Sequence, residues 1–133
     1  MIVWRVETDC HFGPFQGTAS FIPLGRMLDG SMQPIWNGGK SHPSAYEDFG
    51  CMWFHSYYFG CDSYGSLRHW FAFPKVIEYL KKHAFYISKY DCYDDFVMKS
   101  VSGVQIAFDL NSSKKVAEYP LDVLLNSIEP IGV

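Results

Sequence analysis

Apolar and polar residues alternate over the first eight positions, MIVWRVET. Ile2, Trp4 and Val6 fall on one side, and Val3, Arg5 and Glu7 on the other. A period of two predicts a strand, and Gly13-Pro14 marks the turn that ends it. Over 15–29 the apolar residues Phe21, Ile22, Leu24, Met27 and Leu28 are interrupted by Pro23 and Gly25, so at most a helical turn is expected. Residues 30–50 are rich in Gly, Ser, Pro and Asn. A loop of that length in a compact domain marks either a mobile segment or a binding surface.

The run 51–60, CMWFHSYYFG, is almost wholly aromatic and is compatible with a buried strand or a buried helical turn. Asp62 and Ser63 then offer an N-cap, and Leu67, Trp70 and Phe71 follow at helical spacing. The clearest helix is 74–83. Pro74 suits its first turn, Val76, Ile77 and Leu80 line one side, and Lys81, Lys82 and His83 complement the dipole at its end. After it the period changes. Residues 85–90 read as a strand, and 96–100 and 104–108 as a hairpin around Ser102-Gly103. Asn111-Ser112-Ser113 reads as a turn. Residues 116–119 read as a last strand paired with 104–109, and 121–125 as a closing helical turn. Strands clustered beside few helices predict an α+β fold: a single domain over 1–133, mostly antiparallel sheet with one or two packed helices.

Composition narrows the function classes. In 133 residues, hydrophobic side chains make up 48%, and 4 Trp, 9 Tyr and 11 Phe raise the aromatic share to 18%. That supplies a core and excludes a disordered tail, a collagen-like repeat and a coiled coil. It also suggests more rings than the interior hides, hence rings at an interface. The formal charge of −3 leaves no basic face for a run of phosphates, so general nucleic-acid binding is not expected. No stretch approaches the roughly 18 apolar residues of a membrane span, and no secretory leader is legible. A cytoplasmic location in the host cell is therefore expected, with free thiols.

Soft ligands are present in Cys10, His11, Cys51, His55 and Cys61, with Cys51 and His55 four apart. There is no C-x-x-C pair, and the set reads as thiols and a histidine packed among aromatic rings. Zinc is a third-ranked possibility and no metal site is assigned. His11 stands two residues after Asp9 in the turn after the first strand, an arrangement in which a carboxylate can orient an imidazole. Arg5 sits mid-strand and needs an anion; Glu7, two residues on, can supply it at a solvated sheet face. No G-x-S-x-G, Walker loop, H-E-x-x-H or dinucleotide fingerprint is present.

Two resemblances bear on function. The segments VWRVE, GPF, HPSAYED, FGCDSYGSLRHWF and VQIAFD are similar to small uncharacterised proteins encoded by bacteriophages, over about two-thirds of the chain. This implies an accessory role in infection, inhibition of a host defence such as a CRISPR effector being one such role. The layout also resembles the ADP-ribosyltransferase fold. Trp4-Arg5 matches that family's aromatic-Arg pair, and Tyr58-Phe59-Gly60 with Ser63-Tyr64 matches its segment leading into a helix. The resemblance implies NAD or nucleotide binding, with Arg5, Ser63 and Gln105 as site residues. The family's catalytic glutamate, however, is replaced by Ala107 in Gln105-Ile106-Ala107.

The preferred expectation is a non-enzymatic protein-binding inhibitor without a cofactor. Its partner is a host protein or ribonucleoprotein effector, and a homodimer is compatible. Trp36, His42, Tyr46, Tyr90, Asp91, Tyr93, Asp94 and Asp95 are the candidate contact residues, because large or charged side chains in loops have no core to fill.

Overall fold

The computed structural model describes residues 1–11, 57–100, 102–103 and 105–131. The element order is β1 (Ile2–Glu7), β2 (Tyr57–Gly60), α1 (Tyr64–Phe71), α2 (Pro74–Lys82), β3 (Tyr86–Cys92), β4 (Val97–Lys99), β5 (Ile106–Asp109) and β6 (Ser113–Tyr119). Short 3₁₀ turns span Asp94–Phe96, Leu110–Ser112 and Leu121–Leu125. The α+β expectation holds. Expectations for 12–56 lie outside the described residues, apart from the strand alternative for 51–60, which holds for β2.

Two three-stranded antiparallel sheets form, in the orders β1-β3-β6 and β2-β5-β4. They are coupled where Trp4 and Cys61 exchange backbone hydrogen bonds of 2.8 and 2.7 Å. That junction depends on Gly60. A Cβ there would lie 2.7 Å from Val3 Cγ1 and 2.9 Å from the Trp4 carbonyl oxygen, so only a residue without a side chain lets the two backbones approach.

The alternation in β1 divides the interior. Trp4 and Val6 join Tyr64, Leu67 and Trp70 of α1, Val76, Ile77 and Leu80 of α2, and Leu121 and Leu124, in the core between the first sheet and the helices. Val3, on the opposite face, packs with Tyr90, Cys92, Ile106 and Phe108 between the sheets. The helices follow their sequence signals. The Ser63 hydroxyl accepts from the Ser66 amide at 3.0 Å and caps α1, and Pro74 occupies the first turn of α2. The 3₁₀ turn Leu121–Leu125 is tied to both helices. Arg68 Nε donates to the Leu124 carbonyl, and Lys81 pairs with Asp122 at 3.0 Å.

Three expectations are corrected. The last strand does not pair with 104–109. β6 pairs with β3 instead, because Ala117 and Tyr119 are apolar on the side that faces the helices and are buried there. It also begins earlier, at Ser113, after the 3₁₀ turn. Second, Tyr90 and Asp91 are not loop residues: both lie in β3, and Tyr90 is buried. Third, few of the described rings spill outward; Phe73, Tyr93 and Phe96 are exposed, whereas Trp4, Tyr64, Trp70, Phe71, Phe85, Tyr90, Phe108 and Tyr119 are buried.

The β3–β6 ladder carries one irregularity. Lys89 pairs with Ala117 but Tyr90 pairs with Lys115, so Val116 is an extra residue in β6. Side chains alternate strictly along a strand, and an inserted residue inverts that alternation beyond it. Without the bulge Lys115 would share the helix-facing side with Ala117. With it, Lys115 shares the opposite face with Tyr90 and Glu118.

Replacing Gly60 with alanine should destabilise the fold by ~1–3 kcal/mol, the usual cost of forcing a methyl into a packed site. A urea midpoint unchanged from wild type would show that the junction is not as tight as described.

Candidate functional site

On the face of the first sheet turned away from the helices, β1, β3 and β6 bring one carboxylate together with several polar groups. Arg5 stands opposite Ser88 in the β1–β3 register and Tyr90 opposite Lys115 in the β3–β6 register. Glu7 is the hub, fully buried at 0% exposure, and Arg5 beside it is 4% exposed. The Arg5–Glu7 pair expected from the sequence forms, with Nε to Oε1 at 3.0 Å. It lies in the interior, however, and not at a solvated sheet face.

The carboxylate is satisfied on both oxygens. Oε1 accepts from Arg5 Nε and faces His11 Nδ1 at 3.3 Å. Oε2 accepts from the Ser88 and Tyr90 hydroxyls, both at 2.6 Å, with Lys115 Nζ at 3.5 Å. Burial alone would raise the Glu7 pKa. The Ser88 and Tyr90 hydroxyls, then Arg5 and His11, outweigh it and hold the carboxyl below the ordinary glutamate value. Burial raises the Tyr90 phenol, reinforced by its bond to Glu7, so Tyr90 stays a neutral donor. Burial also pulls the Arg5 guanidinium down, opposed by Glu7. Lys115, partly desolvated, is nevertheless raised by its bonds to Glu118 and Tyr86 and by the nearby Tyr90 and Glu7.

Arg5 is spent on this assembly. Besides Glu7 it donates through Nη1 to the Phe59 carbonyl and through Nη2 to the His11 carbonyl at 2.7 Å, and its Cζ lies 5.0 Å from the Tyr58 ring centroid. Every guanidinium nitrogen is engaged, so Arg5 is not presented to a phosphate in the way the transferase resemblance implies. Ser63 serves as a helix cap, and Gln105 is buried just before β5.

The network also fixes the His11 tautomer. Glu7 is ionised and can only accept, and the Tyr90 proton is committed to Oε2. Nδ1 must therefore carry the ring proton in the neutral form, leaving Nε2 as acceptor. The turn that returns His11 to Glu7 is closed by the His11 amide donating to the Thr8 carbonyl at 2.9 Å. The carboxylate that meets His11 is thus Glu7, and Asp9 is exposed. Ser88, Tyr90 as a Glu7 ligand, and Lys115 were not found as members of this group by sequence reasoning. The period of β1 pointed at Glu7, but the partners depend on a register and a bulge.

The other predicted residues fall elsewhere. Asp91, Tyr93, Asp94 and Asp95 are exposed at the end of β3 and the turn after it. Tyr93 is 75% exposed and Phe96 41%. Asp94 Oδ1 lies 2.8 Å from the Met1 amino group. Trp36, His42 and Tyr46 lie outside the described residues, as do Cys51 and His55. Cys61 is a buried free thiol, raised by desolvation, and Cys10 is an exposed free thiol. Among the described residues no group of His, Cys, Asp and Glu is placed to hold a metal ion, and no helix is long and apolar enough to cross a membrane.

A family model described as Bacteriophage T4 Y00F protein matches residues 1–122. The chain belongs to this phage family. The match to the Y00F family spans every member of the Glu7 group and the exposed turn after β3, and it bears out the kinship with phage-encoded proteins. Neither the curated proteins nor the solved structures include a significant match.

Glu7→Gln should lower stability at neutral pH by ~3–5 kcal/mol, because it strands Arg5 without its counter-charge. The native Glu7 pKa lies below its unfolded value of about 4.3. Its contribution is therefore fully present above that value and is lost as pH falls through the native pKa. Denaturation curves taken from neutral to acid pH should converge for wild type and Glu7→Gln. A constant gap across that range would contradict the assignment.

Proposed function

We propose that this phage protein acts in the host cytoplasm by binding a host protein or ribonucleoprotein effector and blocking it. The observation that carries this reading is the exposed turn following β3. Tyr93 projects into solvent between Asp91 and the pair Asp94 and Asp95, with Phe96 beside them. Tyrosine supplies a large contact area at small entropic cost, and flanking carboxylates add steering and selectivity toward a basic face. Membership of a phage family supports a role during infection. The NAD-binding alternative is less well supported, since Arg5 is internally committed.

The test is affinity capture from host extract with the wild-type chain and with a Tyr93→Ala, Asp95→Lys variant. Wild type should retain one protein at constant stoichiometry. Loss of an anchoring tyrosine costs about 2 kcal/mol, or about thirty-fold in affinity, before the charge reversal is counted. Equal retention by the variant, or no stoichiometric partner for wild type, would refute the reading.

A further inference from the structure

We propose that His11 is a proton-transfer residue, and that the mouth of the Glu7 group is a site for hydrolysis of a phosphate ester. This goes beyond the binding reading and does not rest on it. Three independent features converge on His11. Its backbone is left-handed, with φ of 65°, an unfavourable conformation for a residue with a side chain. Arg5 Nη2 holds its carbonyl, and Glu7 Oε1 stands at its Nδ1. Its side chain is nevertheless 40% exposed. A buried ion pair is an expensive way to stabilise a fold, and apolar residues of similar volume often do as well. Here the pair immobilises one half-open imidazole in a single tautomer, with Nε2 as the acceptor. Among the described residues nothing takes Nε2 as a hydrogen-bond partner.

The neighbourhood suggests the substrate. His11 Nδ1 sits at one oxygen of Glu7 and Lys115 Nζ at the other, so a base and a cation lie side by side on one carboxylate. Lys115 also donates to the Tyr86 hydroxyl at 3.1 Å and to the exposed Glu118 at 3.0 Å. Glu118 is the solvent-exposed member of that set, and an anionic phosphate oxygen would take its place on the ammonium. A water then gives a proton to Nε2 while its oxygen bonds to phosphorus. The phosphorus–oxygen bond to the leaving group breaks on the side opposite the water, the departing oxyanion is released to solvent, and the imidazolium returns its proton to solvent. Glu7 stabilises that imidazolium through Nδ1–H. Among the described residues, the charged and titratable groups facing His11 are Arg5, Glu7, Tyr90 and, across the carboxylate, Lys115.

The full-length chain should release p-nitrophenolate from bis(p-nitrophenyl) phosphate above the buffer rate. His11→Gln should lower the rate by about a hundred-fold or more with its thermal transition retained. No turnover by wild type, or undiminished turnover by His11→Gln, overturns the proposal. Should His11→Gln fail to fold, ring-nitrogen NMR of wild type, taken where the ring is neutral, decides: a bare Nε2 with protonated Nδ1 is expected, and the opposite tautomer overturns it.

Discussion

The structure depends on keeping one negative charge out of water. Glu7 is fully enclosed at the end of β1, and an isolated carboxylate there would cost many kilocalories or take up a proton. What makes the ionised form acceptable is the number of donors aimed at it: Arg5 from its own strand, Ser88 and Tyr90 from β3, and His11 from the turn beyond, with the Lys115 ammonium beside it from β6. Each strand of the first sheet contributes, so the charge sets the register. A one-residue slip of β3 would turn Ser88 and Tyr90 toward the helices and leave the carboxylate unsatisfied.

That constraint explains other choices in the chain. The bulge at Val116 brings Lys115 to the Glu7 side while Ala117 and Tyr119 remain in the helical core. Gly60 lets the second sheet approach closely enough for the Phe59 carbonyl to accept from Arg5. Apolar burial on the two faces supplies the bulk of the driving force. The polar group between them selects one arrangement.

Much of the scaffold was legible in the sequence. The period of two in β1, the Ser63 cap, Pro74 at the start of α2 and the hairpin of β4 with β5 follow from local rules. So did the proximity of Arg5 and Glu7, which stand two apart on a strand. Their burial was not legible, because alternation says which residues share a face but not what covers it. The pairing of β6 with β3 was misread for a related reason: adjacency in sequence favours β5, whereas the buried positions of Ala117 and Tyr119 favour the first sheet. The acidic turn was half legible. Asp94, Asp95 and Tyr93 are exposed as their residue types suggest, while Tyr90, a few residues earlier, is drawn inward by the carboxylate it serves.

The most direct test of the central claim is an NMR titration of the Glu7 side-chain carboxyl carbon in the folded protein. The account predicts that Glu7 remains ionised below the ordinary glutamate range, until the fold itself gives way. A carboxyl that takes up its proton within or above that range, with the native spectrum intact, would contradict it.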